Sequence, residues 1–117
     1  NYAVQQCGIR GLNGSGAMPY AAGWSTNLPT QNLNNAYAAG DQRKAATILD
    51  IEAYKAANPS FNITYQVAPY KNTGLYSQKY QPRKGETSGQ LELNYLNNYR
   101  IIRYADVLLM AAEAWNK

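Results

Sequence analysis

The segment that most constrains the fold runs from residue 98 to residue 117, NYRIIRYADVLLMAAEAWNK. On a helix turning about 100° per residue, Arg103, Asp106, Met110, Glu113 and Lys117 form one narrow stripe. Ile101, Ile102, Tyr104, Val107, Leu108, Leu109 and Trp115 cover the rest of the cylinder. A surface helix carries one apolar face, so an apolar surface this wide predicts a scaffold helix enclosed on several sides. Ala105, Ala111, Ala112 and Ala114 allow neighbouring helices to approach closely. Asn97 or Asn98 is the expected N-cap, its side chain accepting from a backbone N–H of the first turn. A helix that rises about 1.5 Å per residue needs partners along about 27 Å here. The preceding residues hold few long apolar periodic segments, so the partner is expected to lie outside these 117 residues.

Residues 1–30 show no sustained period and carry Gly8, Gly11, Gly14, Gly16 and Gly23, which predicts a loop-rich segment. Unstructured stretches of this length are uncommon in small domains and usually functional or part of a larger framework. The run GLNGSG has neither a Walker Lys-Ser/Thr nor a three-glycine dinucleotide fingerprint, so no phosphate loop is read there. Residues 31–97 are expected to hold short helices and a hairpin. Thr30 is placed to cap a helix over QNLNNAYAA, with Gly40 at its stop position, and Asp41 to cap the next turn. ATILDI is compatible with strand or helix, and EAYKAAN with one or two helical turns ended by Asn58-Pro59. NITYQV alternates Ile63, Tyr65 and Val67 as a strand does, and KNTG reads as the turn before LYSQKYQPR. A polar connection, KGETSGQ, follows.

Chemistry is narrowed by what the chain lacks. It has no His and a single Cys, Cys7, which removes a disulfide framework and most metal and triad chemistry. Without a His to activate it, Cys7 reads as a small buried or half-buried thiol. The AVQQ before it lacks the apolar run and small residues of a lipoprotein processing site. Arg103 and Asp106 stand three positions apart and can pair on one helix face. Asp106 and Glu113 are two turns apart, too far to share a substrate readily. All three read as structural, with Arg103 largely buried in the intact protein. The net charge of +4 is scattered, with no basic stripe or nucleic-acid motif, so nucleic acid is not an expected partner. Tyr occurs 11 times against one Phe, so much of the apolar area carries a hydroxyl suited to a wet interface.

Three stretches, in order, carry a resemblance: NLPTQNLNNAYAAGDQRKAATI, TGLYSQKYQPRKG and NNYRIIRYADVLLMAAEAWNK. They resemble the SusD/RagB family of outer-membrane nutrient-binding lipoproteins. The most specific part is Arg103-Tyr104-Ala105-Asp106-Val107-Leu108-Leu109-Met110, followed by Ala112-Glu113-Ala114. Where that family usually has Asp-Pro-Arg, this chain has Asp41-Gln42-Arg43, keeping both charges and losing the fixed φ of proline.

The resemblance implies a mainly α fold. The chain would be an internal fragment of a tetratricopeptide-like α-α superhelix, part of a single domain, with long irregular loops and a short β-hairpin. One helix of such a solenoid cannot bury its own faces, which answers for the wide apolar surface of 98–117. The resemblance also implies glycan capture without catalysis or cofactor. The partners would be an oligosaccharide or polysaccharide, a TonB-dependent transporter and the remaining segments of the same protein. The location would be the outer membrane at the cell surface, through a lipid anchor in a segment outside this chain. A docking segment for the transporter, or binding of a non-glycan nutrient such as peptide, are the alternatives. The family's sugar-facing aromatics lie on variable loops, so no role transfers by motif. Trp24 and Tyr20, in the glycine-rich loop, are the candidate ligand-binding residues because aromatic faces cover the apolar side of a pyranose.

Overall fold

The computed structural model describes residues 2–68, 73–86, 95–98 and 100–116. Parts of the turn read at KNTG and of the connection KGETSGQ lie outside these residues.

Helices outweigh strands. The order is α1 (Tyr2–Cys7), α2 (Gln31–Asn35), α3 (Gln42–Thr47), β1 (Ile48–Asp50), α4 (Ile51–Ala57), β2 (Leu75–Ser77) and α5 (Tyr104–Trp115), with 3-10 turns at Pro59–Phe61 and Gln78–Tyr80. The capping residues do what their chemistry predicts. Thr30 accepts from the Leu33 N–H at 3.2 Å, Asp41 from the Arg43 N–H at 2.9 Å, and Asp50 from the Ala53 N–H at 3.0 Å. Each cap satisfies an N–H that the first helical turn leaves without an intrahelical acceptor. α2 ends at Asn35, earlier than the QNLNNAYAA pattern suggests, and Gly40 makes the turn into Asp41 at φ +79°. α4 ends at Ala57, with Asn58 as its C-cap and Pro59 behind it, as expected.

ATILDI resolves as both helix end and strand. Ile48–Asp50 pairs antiparallel with Leu75–Ser77 in the register Ile48 to Ser77, Leu49 to Tyr76 and Asp50 to Leu75. The strand expected at Ile63–Val67 is absent. Asn62 sits in the left-handed region at φ +47°, and Thr64 instead exchanges backbone hydrogen bonds with Asn13 at 2.8 and 2.9 Å. The segment is thereby tied to the glycine-rich loop, leaving β2 to pair with β1.

The glycine-rich region is not all loop. Its first described residues form α1, and its irregular remainder supplies Ile9, Leu12, Met18 and Tyr20 to the core. These meet Leu49, Ile51, Ile63 and Tyr76. The packing resolves into one body built around the β1–β2 pair.

α5 lies apart from that core. It starts at Tyr104, not near residue 99, and its N-cap is Arg103 rather than Asn97 or Asn98. Asp106 accounts for the shift: its carboxylate accepts from the Arg103 N–H at 3.0 Å, closing the start of the helix by the reciprocal half of a capping box. No α5 residue is buried within this chain. Arg103 Nε stands 3.6 Å from Asp106 Oδ2, with both side chains about half exposed.

Candidate functional site

The glycine-rich loop folds back over the end of α1. Gly23 N–H donates to Ile9 O at 2.8 Å, Trp24 N–H to Gln5 O at 2.7 Å, and Ser25 N–H to Gly8 O at 2.8 Å. Two glycines make this approach possible. A Cβ on Gly23 would come within 2.7 Å of Gln5 O and run into Gly8, while one on Gly8 would sit 2.5 Å from Pro82 Cγ. Ser25 then reverses the chain at φ +54°, a left-handed conformation costly for a non-glycine residue, and is held there while buried.

This return places the Trp24 ring beside Tyr2. The ring centroids are 5.8 Å apart with planes inclined by 38°. Trp24 is half-buried and Tyr2 is 55% exposed, so the pair presents aromatic surface to solvent. Tyr2 escaped the sequence reading because it is 22 positions from Trp24 and joins it only through the fold; its place among the apolar positions of α1 was the only available signal.

The other expected site residue lies elsewhere. Tyr20 is 6% exposed and belongs to the core, with the Tyr54 ring at 5.4 Å and the Arg83 guanidinium over its face at 5.9 Å. Its hydroxyl accepts from Gln78 Nε2 at 3.1 Å. A ring so enclosed offers little face to a ligand. Glycine content signals backbone freedom, not exposure, and Tyr20 and Trp24 diverge for that reason.

Ionisable groups away from the pair satisfy one another. Asp41 and Arg43 form a bidentate contact, Nη2 to Oδ2 at 2.6 Å and Nε to Oδ1 at 2.9 Å, which holds the Asp41 carboxyl below its ordinary pKa. The charged residues therefore lock together without the proline between them. Tyr65 donates to Glu52 Oε1 at 2.6 Å and Lys55 to the same oxygen at 3.3 Å. These contacts lower the Glu52 pKa, and burial together with the Glu52 contact raises that of Tyr65. Burial also raises the Cys7 thiol, partly offset by Asn27 Nδ2 donating to Sγ at 3.8 Å. Cys7 is thus a thiol rather than a thiolate at neutral pH, a poor nucleophile. Among the described residues no group of three or more His, Cys, Asp or Glu could hold a metal ion, and no helix is long and apolar enough to cross a membrane.

A cleft of about 490 Å³ lies between α2, α3 and the start of α5, walled by Leu33, Tyr37, Asp41, Arg43, Lys79 and Arg103. A second of about 420 Å³ lies between Cys7, Asn27, Leu33 and Tyr80. Neither includes Trp24. The first has Arg103 at the root of the uncovered helix in its wall, and two of its charges are already paired with each other. We take the aromatic pair, which needs no further wall, as the candidate site.

The chain is thus largely helical with one two-stranded antiparallel sheet among the described residues, and a loop tied to α1 sets the Trp24 ring against Tyr2. The chain belongs to the SusD family, whose model matches residues 3–117. It is 30% identical over 112 residues to SusD-like protein P2 of Formosa agariphila, covering 93% of this chain and 22% of that protein. Among solved structures it is similar to a laminarin binding SusD-like protein, with 33% identity and a TM-score of 0.79, covering 98% of this chain and 25% of that one. It is also similar to surface glycan-binding protein A from Bacteroides thetaiotaomicron in complex with laminarihexaose. There the identity is 27% and the TM-score 0.71, covering 97% of this chain and 26% of the other. The chain therefore spans about a quarter of the length of these relatives.

Proposed function

We propose that this chain contributes the glycan-contacting loop of a non-enzymatic surface protein that captures laminarin-type glucan and passes it to a TonB-dependent transporter. The observation that carries the reading is the Tyr2–Trp24 pair, two neighbouring rings partly open to solvent, one on α1 and the other on a loop hydrogen-bonded to it. Aromatic faces suit the C–H side of a pyranose, and hydroxyl and amide groups suit its rim. The similarity to a laminarin binding SusD-like protein and to a laminarihexaose complex supports the ligand class. Family membership supports an outer-membrane, cell-surface location.

Isothermal titration of the intact protein with laminarihexaose tests this. Trp24→Ala is expected to cost at least about 1 kcal/mol of binding while leaving the melting temperature nearly unchanged. Tyr2→Ala is expected to weaken binding by less, since its ring is the outer member of the pair. Retained affinity with lowered stability in Trp24→Ala would make the indole a core plug and end the reading.

The second reading, a docking segment, is favoured by α5. Leu109 is 70% exposed and Trp115 88% exposed on a helix with no buried residue in this chain. In that role the helix face would be covered by further segments of the same protein or by the transporter.

A further inference from the structure

We propose that Arg10 is a positioning residue for sugar capture, acting through the Trp24–Ser25 backbone rather than by touching the ligand. The proposal rests on Trp24 being the sugar contact. Arg10 bonds to both Trp24 and Ser25. Its Nε donates to Trp24 O at 3.0 Å, and its backbone N–H donates to Ser25 Oγ at 2.8 Å. Ser25 Oγ in turn donates to Gly8 O at 3.3 Å. A guanidinium aimed at a carbonyl makes a charge-assisted hydrogen bond, stronger than a neutral one, and this carbonyl belongs to the residue that carries the indole.

The need for such a hold is local. Ser25 is a left-handed non-glycine residue, and a chain turned this way relaxes to the right-handed or extended region unless its surroundings hold it. Relaxation would rotate the Trp24 carbonyl and carry the indole away from Tyr2. Gly23 beside it adds freedom that must also be removed before binding. The other end of the clamp is anchored too: Gln5, whose backbone O accepts from Trp24 N–H, has its side-chain Oε1 bonded by the buried Tyr95 hydroxyl at 2.5 Å. Arg10 thus preorganises the platform, and a rigid platform binds more tightly because less ordering remains for the ligand to impose.

The test has a ligand-free arm and a coupling arm, both on the intact protein. In hydrogen exchange, Arg10→Ala should raise exchange at Gly23, Trp24 and Ser25 by about tenfold, the scale of a lost charge-assisted hydrogen bond. The Leu75–Ser77 strand should be unchanged. Unaltered protection at 23–25 overturns the proposal, as does a rise spread equally over the strand. In a double-mutant cycle with laminarihexaose, Arg10→Ala should weaken affinity about tenfold in the parent and leave it unchanged in a Trp24→Ala background. Equal losses in both backgrounds would mean direct ligand contact and sink the positioning role. Arg10→Lys, which keeps the charge and reach, should recover part of both effects, and it substitutes for the alanine variant if that fails to fold. A parent that does not bind laminarihexaose, or a Trp24→Ala variant of full affinity, refutes the proposed function instead, and the exchange arm still decides the clamp.

Discussion

The body around the β1–β2 pair and the helix α5 draw on the same kinds of side chain and meet opposite fates. In the body, Val4, Ile9, Ile51 and Tyr76 are at 0% exposure. In and before α5, Ile101 is 84% exposed, Tyr104 76% and Leu109 70%. Periodicity identified the second region as a helix with an unusually wide apolar surface. It had little to say about the first, whose core comes from irregular segments. Periodic patterning reports local structure and the need for a partner, whereas the identity of the partner is a long-range matter. The relatives it matches are about four times as long as this chain.

Truncating one large side chain in each region separates the two. Tyr76→Ala should destabilise the intact protein by about 3–5 kcal/mol, as other large aromatic deletions in cores do. Denaturant melts read this, and a loss below about 1 kcal/mol would mean that the body is not a core. Leu109→Ala is next in size. In the 117-residue chain it should change stability by no more than about 0.5 kcal/mol, the range of surface substitutions. In the intact protein it should cost about 2–5 kcal/mol, the range for a buried leucine. Equal small effects in both would leave α5 a solvent-facing helix and remove its scaffold role. The smallest effect belongs to Arg103→Ala, which in this chain breaks a half-exposed pair with Asp106 and should cost under about 1 kcal/mol. On the order of 3 kcal/mol is expected in the intact protein if covering α5 also buries the pair.

Legibility followed the range of the interaction. Thr30 and Asp41 were read as caps because a cap acts over two or three residues. The Asn58-Pro59 stop was read for the same reason. β1 remained ambiguous between strand and helix because its partner β2 begins 25 positions further on, and the 63–67 strand failed because Thr64 bonds to Asn13 instead. The start of α5 was missed by several residues because an aspartate in the third helical position, not an asparagine ahead of the helix, supplies the capping acceptor. At the candidate site Trp24 was legible as an aromatic on a glycine-rich loop. Tyr20 shared that description and went to the core, and Tyr2 did not share it and came to lie against the indole. Composition locates backbone freedom; only the tertiary hydrogen bonds decide which ring is left facing water.

One experiment separates a binding loop from a docking helix in a single data set: hydrogen exchange of the intact protein with and without laminarihexaose. Binding at the aromatic pair predicts added protection around Tyr2 and across residues 20–27, with residues 104–115 already slow to exchange and unchanged by ligand. Added protection confined to 104–115, with none at the Trp24 loop, would contradict the account and move the site to the helix.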